Sequence, residues 1–380
     1  MKALIYIPNT IDSVDINHKF VSTLGRCLGT MADINVQKRL SSPITDYSVV
    51  HIVGAWQFNA AQMLFKAKRN NIPTVVSPLG GLEPWIIKKH NSDKILKTVE
   101  YERKMIEEAS AIHLCSDLEL CAFKKLKWNN RTHIINNSII TNVITDMEMA
   151  QKMLCLYQKV IDSNCYSMIN EDVKNAIEYI LHAGIDPEDV KDLTFKQNAV
   201  SSLSKLTLEN WRHIFIYANN EGIIDILNKG INTIQFNAPK IDVDSIDIFP
   251  KEYPVSNISI KKDEIMSKNI LQKSKMEDIA RDNEQIEKSL CILFFNIKYE
   301  IYHHNLSMFH LIELYENIKF NNYDENRLAE MLKQIGIFKF ASRLVFILND
   351  VLGLSEGFMP IYGIDDKITD KIRMRITKLQ

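Results

Sequence analysis

Short apolar runs alternate with helical periods over the first 145 residues, and this alternation constrains the fold more than any other feature. The runs are nearly continuous and rich in β-branched residues, as expected of strands buried on both faces of a parallel sheet. The pattern therefore predicts an α/β fold with a doubly wound parallel-sheet domain over residues 1–145. The predicted strands are Lys2–Ile7, Tyr47–Val53, Pro73–Ser77 and Ala111–Cys115, and the predicted helices are Asn59–Asn70, Asp93–Ala109 and Asp117–Lys127.

The second half of the chain has mostly helical periods. One strand-like run, Ile231–Phe236, interrupts them and leads into a stretch with prolines and aspartates. We therefore expect a helical region at 146–236, a linker at 237–262 and a helical C-terminal region at 263–380. The predicted helices are Met147–Ile161, Val173–His182, Leu208–Ala218, Ile223–Leu227, Glu284–Tyr302, Met308–Lys319, Glu325–Ile335, Phe338–Leu352 and Asp366–Leu379.

Composition narrows the classes of partner. The 46 basic and 47 acidic side chains nearly cancel, so the chain has no general attraction for nucleic acid, and we expect no nucleic-acid partner. The six cysteines show no C-x-x-C spacing, which favours reduced thiols in a cytoplasmic protein over disulfides or a metal. No signal peptide precedes the first strand, and the longest apolar run is interrupted by Lys298 and Glu300. We expect a cytoplasmic protein, and peripheral attachment to the inner membrane face is compatible with this.

Several residues follow predicted strands and would meet in one crevice at the carboxyl edge of the sheet. Two glycines there permit close backbone approach, and two tryptophans are suited to packing against a sugar ring. The alternative is that the glycines only form a turn and the tryptophans only fill the domain seam. The candidate substrate-binding residues are Gly54, Trp56, Ser77, Gly80, Gly81, Trp85 and Ser116.

Other polar residues have structural interpretations that compete with chemical ones. The Glu102-Arg103 pair is typical of a helix-to-sheet ion pair more than of a catalytic group, and His51 and His113 are typical of satisfied core histidines. Asp242 and Asp244 have the spacing of a metal-binding motif, but no suitable strand precedes them, which favours an acidic linker. His303, His304 and His310 lack a completing carboxylate or cysteine and are expected to be surface or packing residues. We expect neither a metal nor a cofactor.

The order of these elements resembles the N-terminal domain of family 4 glycosyltransferases, which have the GT-B architecture. The elements are His51-x-x-Gly54-x-Trp56, Ser77-Pro78, Gly80, Pro84-Trp85, Glu102-Arg103 and His113-x-x-Ser116. The resemblance covers roughly residues 1–140. It implies a Rossmann-like domain of the kind found in bacterial surface-polysaccharide synthesis. The implied activity transfers a sugar from a nucleotide sugar to a lipid-linked or oligosaccharide acceptor.

Three departures from the family pattern keep a second function open. The segment Pro8–Asn17 after the first strand contains no glycine, and Leu79 stands where the family usually has a histidine or arginine. The second half also lacks the strand series of a donor-binding Rossmann domain. The alternative is a catalytically silent module that binds glycan or scaffolds a synthesis complex, so the catalytic residues are unknown. On this ground we expect the chain to bind common nucleotide sugars no better than about millimolar, near -4 kcal/mol.

The C-terminal helix carries an apolar stripe that could contact a partner. Ile368, Ile372, Ile376 and Leu379 recur at helical spacing beside basic residues. Such a helix is suited to an anionic membrane surface, but a partner helix is the more common use of this pattern.

Overall fold

The chain divides into two compact units. A computed structural model describes residues 1–8, 15–89, 91–141, 143–188, 190, 192–250, 259–260, 264–267, 270–281, 286–303 and 306–378. The first unit is Met1–Met168 with the segment Ser245–Phe249, and the second is Ile169–Asp244 with Pro250–Gln380.

The first unit contains a parallel sheet whose described strands have the order β2-β1-β3-β4-β5-β6. The strands are β1 (Lys2–Tyr6), β2 (Asp33–Gln37), β3 (Val49–Val53), β4 (Thr74–Ser77), β5 (Ala111–Leu114) and β6 (Thr132–Ile134). The four predicted strands are confirmed as β1, β3, β4 and β5. The predictions omit β2 and β6, because β2 is half exposed with a mixed polar pattern and β6 has only 3 residues.

Helices cover both faces of this sheet, as expected of a doubly wound arrangement. The helices of the first unit are α1 (Ile16–Leu28), α2 (Phe58–Arg69), α3 (Pro84–Lys89), α4 (Asn91–Lys97), α5 (Arg103–Glu108), α6 (Asp117–Lys124), α7 (Asp146–Ser163) and α8 (Cys165–Met168). Side chains from alternate strand positions belong to two separate apolar cores. One core is shared with α1 and α7, and the other with α2, α5 and α6.

The connections reverse direction between β1 and β3. After β1 the chain moves to β2 at the edge of the sheet, and after β3 it moves the other way to β4 and β5. In open α/β sheets such a reversal leaves a crevice beyond the carboxyl ends of the strands, where ligands bind. The glycine-free segment predicted after β1 lies largely outside the described residues, since these exclude 9–14.

The first unit extends past the predicted boundary at residue 145. Helix α7 supplies Met149, Met153 and Tyr157 to the core beside α1, so it packs as part of the α/β unit. The chain later returns, and Phe249 joins the same core while its N–H donates to Ser163 Oγ at 2.8 Å. The predicted linker at 237–262 therefore includes a short packed segment; residues 251–258 and 261–262 of it lie outside the described residues.

Among the described residues, the second unit consists of helices joined by loops and contains no strand. Its helices are α9 (Glu171–Ile185), α10 (Leu193–Ser204), α11 (Leu208–Asn220), α12 (Ile224–Ile234), α13 (Ile270–Arg281), α14 (Ile286–His303), α15 (Met308–Lys319), α16 (Glu325–Gln334), α17 (Phe338–Leu352) and α18 (Lys367–Thr377). The strand predicted at Ile231–Phe236 is wrong. Most of that run continues α12, whose apolar residues at 227, 231 and 234 are buried at helical spacing.

The apolar stripe of the C-terminal helix packs inside the second unit. Ile372 and Ile376 of α18 are buried, whereas Ile368 is exposed and Leu379 lies outside the described residues. Two residues of this stripe therefore already have apolar neighbours within the unit. None of the described helices has the length and apolar character needed to cross a membrane.

Candidate functional site

The loop after β3 has a backbone conformation that is unusual for its residues. Gly54 has φ 105°, and Trp56 has φ 64°, in the left-handed region that disfavours residues with a side chain. Three hydrogen bonds hold Trp56 there: its N–H donates to Glu102 Oε2 at 3.0 Å, its indole Nε1–H donates to Gly81 O at 2.6 Å, and its carbonyl accepts from the Tyr101 hydroxyl at 3.0 Å. Such conformations persist only where the surroundings enforce them, and they are common at functional sites.

The loop after β4 is constrained in the same way. Leu79 has φ 48° and Gly80 has φ 78°. The Leu79 side chain packs against the core shared by α1 and α7. At Gly81 a Cβ atom would lie 2.8 Å from Ala55 Cβ and 2.9 Å from Pro78 O, so only glycine lets this loop pack against the loop after β3.

Glu119 connects the loops that follow β4 and β5. Its Oε1 accepts the Gly80 N–H at 2.7 Å, and its Oε2 accepts the Cys115 N–H at 2.6 Å. The N–H of Glu119 in turn donates to Ser116 Oγ, which caps the N-terminus of α6. Burial raises the pKa of Glu119, and the two hydrogen bonds from backbone N–H groups oppose that rise. The Gly80 amide and the Ser116 hydroxyl are therefore both engaged inside the protein.

Glu102 is the most unusual charged residue of this edge. It ends a π-helical turn, Thr98–Glu102, between α4 and α5, and its side chain is 0% exposed. Such turns often occur at functional sites. Oε2 accepts the Trp56 N–H, but within the described part of the chain no donor reaches Oε1. Burial raises the pKa of Glu102 to about 7, although the Trp56 N–H and the charges of Lys94 and Lys97 oppose the shift.

The two tryptophans of the predicted site have different surroundings. Trp56 is half-buried, and the Lys94 ammonium group lies 5.1 Å from the centre of its ring. Trp85, in the first turn of α3, is 62% exposed. Trp56 is therefore largely enclosed by its neighbours, while Trp85 presents an aromatic surface to solvent.

A buried chain of hydrogen bonds lies beneath the crevice, between the sheet and α7. His51 Nδ1 is 2.7 Å from the Tyr157 hydroxyl, His51 Nε2 is 2.6 Å from Ser77 Oγ, and Ser77 Oγ is 2.6 Å from His113 Nδ1. The chain ends where His113 Nε2 lies 3.0 Å from the carbonyl oxygen of Ile135. All four side chains are buried.

The donor and acceptor properties of these side chains allow the hydrogen-bond chain to run in one direction only. A carbonyl oxygen only accepts, so His113 Nε2 carries the proton and the neutral ring accepts the Ser77 O–H at Nδ1. Ser77 Oγ then accepts the His51 Nε2–H, and His51 Nδ1 accepts the Tyr157 O–H. Burial lowers the pKa of His113 to about 4 and that of His51 well below its ordinary value, which keeps both rings neutral at pH 7. Ser77 is therefore a buried connecting residue.

The structure brings most of the predicted residues to one edge. Gly54, Trp56, Gly80 and Gly81 form two touching loops, whereas Ser77 lies beneath them and Ser116 caps α6. The sequence interpretation omitted Glu119, although the Ser116-x-x-Glu119 spacing is that of a helix-capping pair and could have identified it. It also treated Glu102-Arg103 as an ion-paired unit. Arg103 pairs with Glu107 at 2.7 Å, while Glu102 points inward to Trp56.

The remaining polar candidates have ordinary surroundings. Asp242 and Asp244 are exposed, and no metal-binding group of three or more side chains exists among the described residues. His310 is buried at the start of α15, where its Nδ1 lies 3.0 Å from the Ser307 N–H nitrogen, and His303 Nδ1 lies 2.8 Å from Tyr299 O. His304 lies outside the described residues.

Comparisons of the chain with protein-family models, curated proteins and solved structures gave no match. The function is therefore argued from the residues at the carboxyl edge of the sheet.

Proposed function

We propose that this is a glycosyltransferase-related protein of bacterial surface-polysaccharide synthesis, and that its first unit binds a glycan or lipid-linked acceptor at the carboxyl edge of the sheet. Glu102 carries this proposal. A buried carboxyl group with an oxygen that lacks a hydrogen-bond donor requires an explanation, because an unpaired buried polar atom destabilises the folded state. Its hydrogen bond to Trp56, a residue with positive φ in the loop after β3, supports a role in chemistry at the sheet edge where ligands bind.

Glu102 has the properties of a general base for glycosyl transfer. In the reaction the acceptor hydroxyl oxygen bonds to the anomeric carbon of a nucleotide sugar, and the bond from that carbon to the diphosphate breaks. The nucleoside diphosphate leaves with the electron pair, and the hydroxyl proton passes to the Glu102 carboxylate. A pKa of about 7 suits this transfer, because a base works best when its pKa lies near the working pH. Because Glu102 is fully buried, this role requires the loop around Trp56 to open and admit the acceptor to Oε1.

The other residues of the edge have supporting roles in this proposal. Trp85 offers an exposed ring for an acceptor sugar, and the two touching loops that contain Gly54 and Gly81 hold Trp56 against Glu102. A lipid-linked acceptor would bring the protein to the cytoplasmic face of the membrane, where the exposed Ile368 of α18 is one candidate for contact.

A specific observation favours the silent glycan-binding module as the second candidate. A diphosphate needs several convergent donors or cations. The Gly80 N–H already donates to Glu119, Ser116 Oγ already caps α6, and Leu79 packs into an apolar core. No second parallel sheet exists in the part of the second unit that the structure describes. These features weaken donor binding without affecting an acceptor site beside Trp85.

The test combines donor binding with turnover by the full chain. Calorimetric titration with UDP-glucose, UDP-N-acetylglucosamine and GDP-mannose measures donor affinity, and release of the nucleoside diphosphate in the presence of oligosaccharide acceptors measures transfer. Glu102→Gln should reduce turnover at least a hundredfold, since a positioned base contributes typically 10²–10⁴-fold. Glu107→Gln, at the surface of the adjoining helix α5, is the matched control and should leave turnover unchanged.

The outcomes separate the two candidates. Micromolar binding of one donor, with turnover that depends on Glu102, supports the enzyme. Donor binding no tighter than about millimolar, near -4 kcal/mol, together with glycan binding that Trp85→Ala weakens, supports the silent module. Absence of both donor and glycan binding would contradict the proposal as a whole.

A further inference from the structure

The second unit contains a cavity of about 550 Å³. Its walls are formed by α9, α10 and the C-terminal end of α17, and we call it the α9–α10–α17 pocket. This volume lies in the range of small-molecule sites in proteins, which is about 300–1,000 Å³. The pocket contains no residue of the candidate site in the first unit, so it requires a separate explanation.

Much of the lining consists of groups that both donate and accept hydrogen bonds. Asn175 projects from α9, and Asn198, Ser201 and Ser202 project from α10. Amide and hydroxyl side chains of this kind match a ligand that carries several hydroxyl groups. A purely apolar ligand would leave these groups without partners, which is unfavourable.

One wall of the pocket is aromatic. The ring of Phe195 is packed edge-to-face against Tyr179 and His182, with ring centroids 5.4 Å and 5.1 Å apart. These contacts hold Phe195 in one orientation. Rigid aromatic surfaces bury the C–H faces of sugar rings while polar groups around them bind the hydroxyls.

The pocket also has an excess of negative charge. Its described lining carries the carboxyl groups of Asp172, Glu178 and Asp350, and the ammonium group of Lys205. Asp350 is paired with Arg373, with Nε and Oδ2 3.0 Å apart. Glu178 forms no hydrogen bond or ion pair with any described residue. A half-buried carboxyl group without a partner, facing a cavity, is suited to a cationic group on a ligand.

We propose that the α9–α10–α17 pocket binds an amino sugar of one or two rings, with its ammonium group at Glu178 and its ring against Phe195. This inference does not depend on the proposed function of the first unit, because the two sites have no residue in common. Binding here gives the helical unit a role in recognising a positively charged glycan.

The surroundings of Glu178 support this assignment and predict a pH dependence. Burial raises the pKa of Glu178 to about 7; Lys174 and Arg373 oppose the rise, and Asp350 and Glu171 add to it. Asp172 of α9 and Lys205 at the end of α10 are the remaining charged groups of the lining, which also contains the titratable ring of His182. A bound ammonium group favours the carboxylate form, so binding of the ligand releases a proton near neutral pH. Affinity should therefore increase between about pH 5.5 and 7, as the free protein loses that proton.

Three sugars that share one ring but differ in charge provide the test. Ligand-detected NMR titration of the full chain with glucosamine, glucose and glucuronate should give affinities in that order. Glucosamine should bind at least tenfold more tightly than glucose, which corresponds to about 1.4 kcal/mol. Equal affinity for glucosamine and glucuronate would overturn the charge assignment, and absence of binding by all three would overturn the site.

Two variants and one control locate the site. Glu178→Gln should abolish the preference for glucosamine over glucose and remove the pH dependence, while Glu209→Gln, at a partly exposed glutamate of α11 outside the pocket, should change neither. Ser201→Trp should fill the cavity from an exposed position of α10 and abolish binding of all three sugars, with the melting temperature as a check of folding. Retained binding by Ser201→Trp would show that the sugars bind elsewhere and would overturn the proposal.

Discussion

Four side chains in the first unit form one directional hydrogen-bond chain, in which each group depends on its neighbour. Ser77 occupies the central position, because its single hydroxyl accepts from His51 and donates to His113. The outer member, Tyr157, contacts the chain at His51 alone. A substitution at the centre therefore leaves two buried ring nitrogens without partners, whereas a substitution at the end leaves one.

Ser77→Ala should lower the free energy of unfolding by about 2–6 kcal/mol, because it leaves two buried polar groups unpaired and each costs about 1–3 kcal/mol. Tyr157→Phe should cost roughly half as much, since only His51 Nδ1 loses its donor. Urea denaturation of both variants measures these changes. Ser41→Ala, at an exposed serine of the same unit, is the control and should be nearly neutral. A Ser77→Ala variant as stable as this control would contradict the directional chain.

Two helices of the second unit cross with their backbones in close approach. A Cβ atom on Gly230 of α12 would lie 1.9 Å from Ile180 O, and one on Gly184 of α9 would lie 2.3 Å from Ile226 O. Neither distance is compatible with a side chain, so both glycines are required by the packing of α9 against α12. This crossing fixes the position of α9, which contributes Glu178 and Tyr179 to the pocket.

Gly230→Ala should destabilise the protein by about 1–3 kcal/mol through overpacking, even though alanine favours a helix over glycine by about 1 kcal/mol. Thermal unfolding measures the change. Gly357→Ala is the matched control, because a Cβ atom there would meet no heavy atom within 4 Å. Unchanged stability of the Gly230→Ala variant would mean that α9 and α12 can move apart at little cost, and it would contradict the close packing described here.

At the scale of the whole molecule, the first unit is assembled from two separate stretches of the chain. The segment Ser245–Phe249 returns to it after the first helices of the second unit. Phe249 is buried beside α7, the Lys159 ammonium lies 4.6 Å from the centre of its ring, and Lys159 also pairs with Asp247 at 2.8 Å. The core of the α/β unit is therefore completed by a residue more than 80 positions after α7.

Phe249→Ala should destabilise the first unit by about 3–5 kcal/mol, the usual cost of truncating a buried phenylalanine. Hydrogen exchange of the α7 amides, measured by mass spectrometry, should become faster by the corresponding factor. Asp244→Ala, at an exposed residue just before the segment, is the control and should leave the exchange unchanged. Unchanged exchange in Phe249→Ala would show that the returning segment contributes nothing to this core.

The sequence by itself determined the parallel sheet of the first unit and most of the helices of both units. Strands buried on both faces are continuous apolar runs, and apolar residues of amphipathic helices recur every 3.6 residues. Both patterns are local, so they can be recognised in the sequence. Dependence on local patterns also explains which predictions of strands were missed or wrong. Edge strands β2 and β6 are short or partly exposed, and the β-branched run at Ile231–Phe236 belongs to α12 because tertiary packing overrides propensity.

Only the tertiary structure decided what the candidate residues do. Glu102 acquires its raised pKa and unpaired oxygen from burial beside Trp56, which is 46 residues earlier in the chain. Ser77 links two histidines because His51 and His113 lie on the strands on either side of β4. Glu178 faces a cavity because α10 and α17 pack beside α9. Solvation and hydrogen bonding depend on neighbours in space, and residues distant in sequence supply those neighbours. A linear pattern therefore identifies the elements, and their packing determines their chemistry.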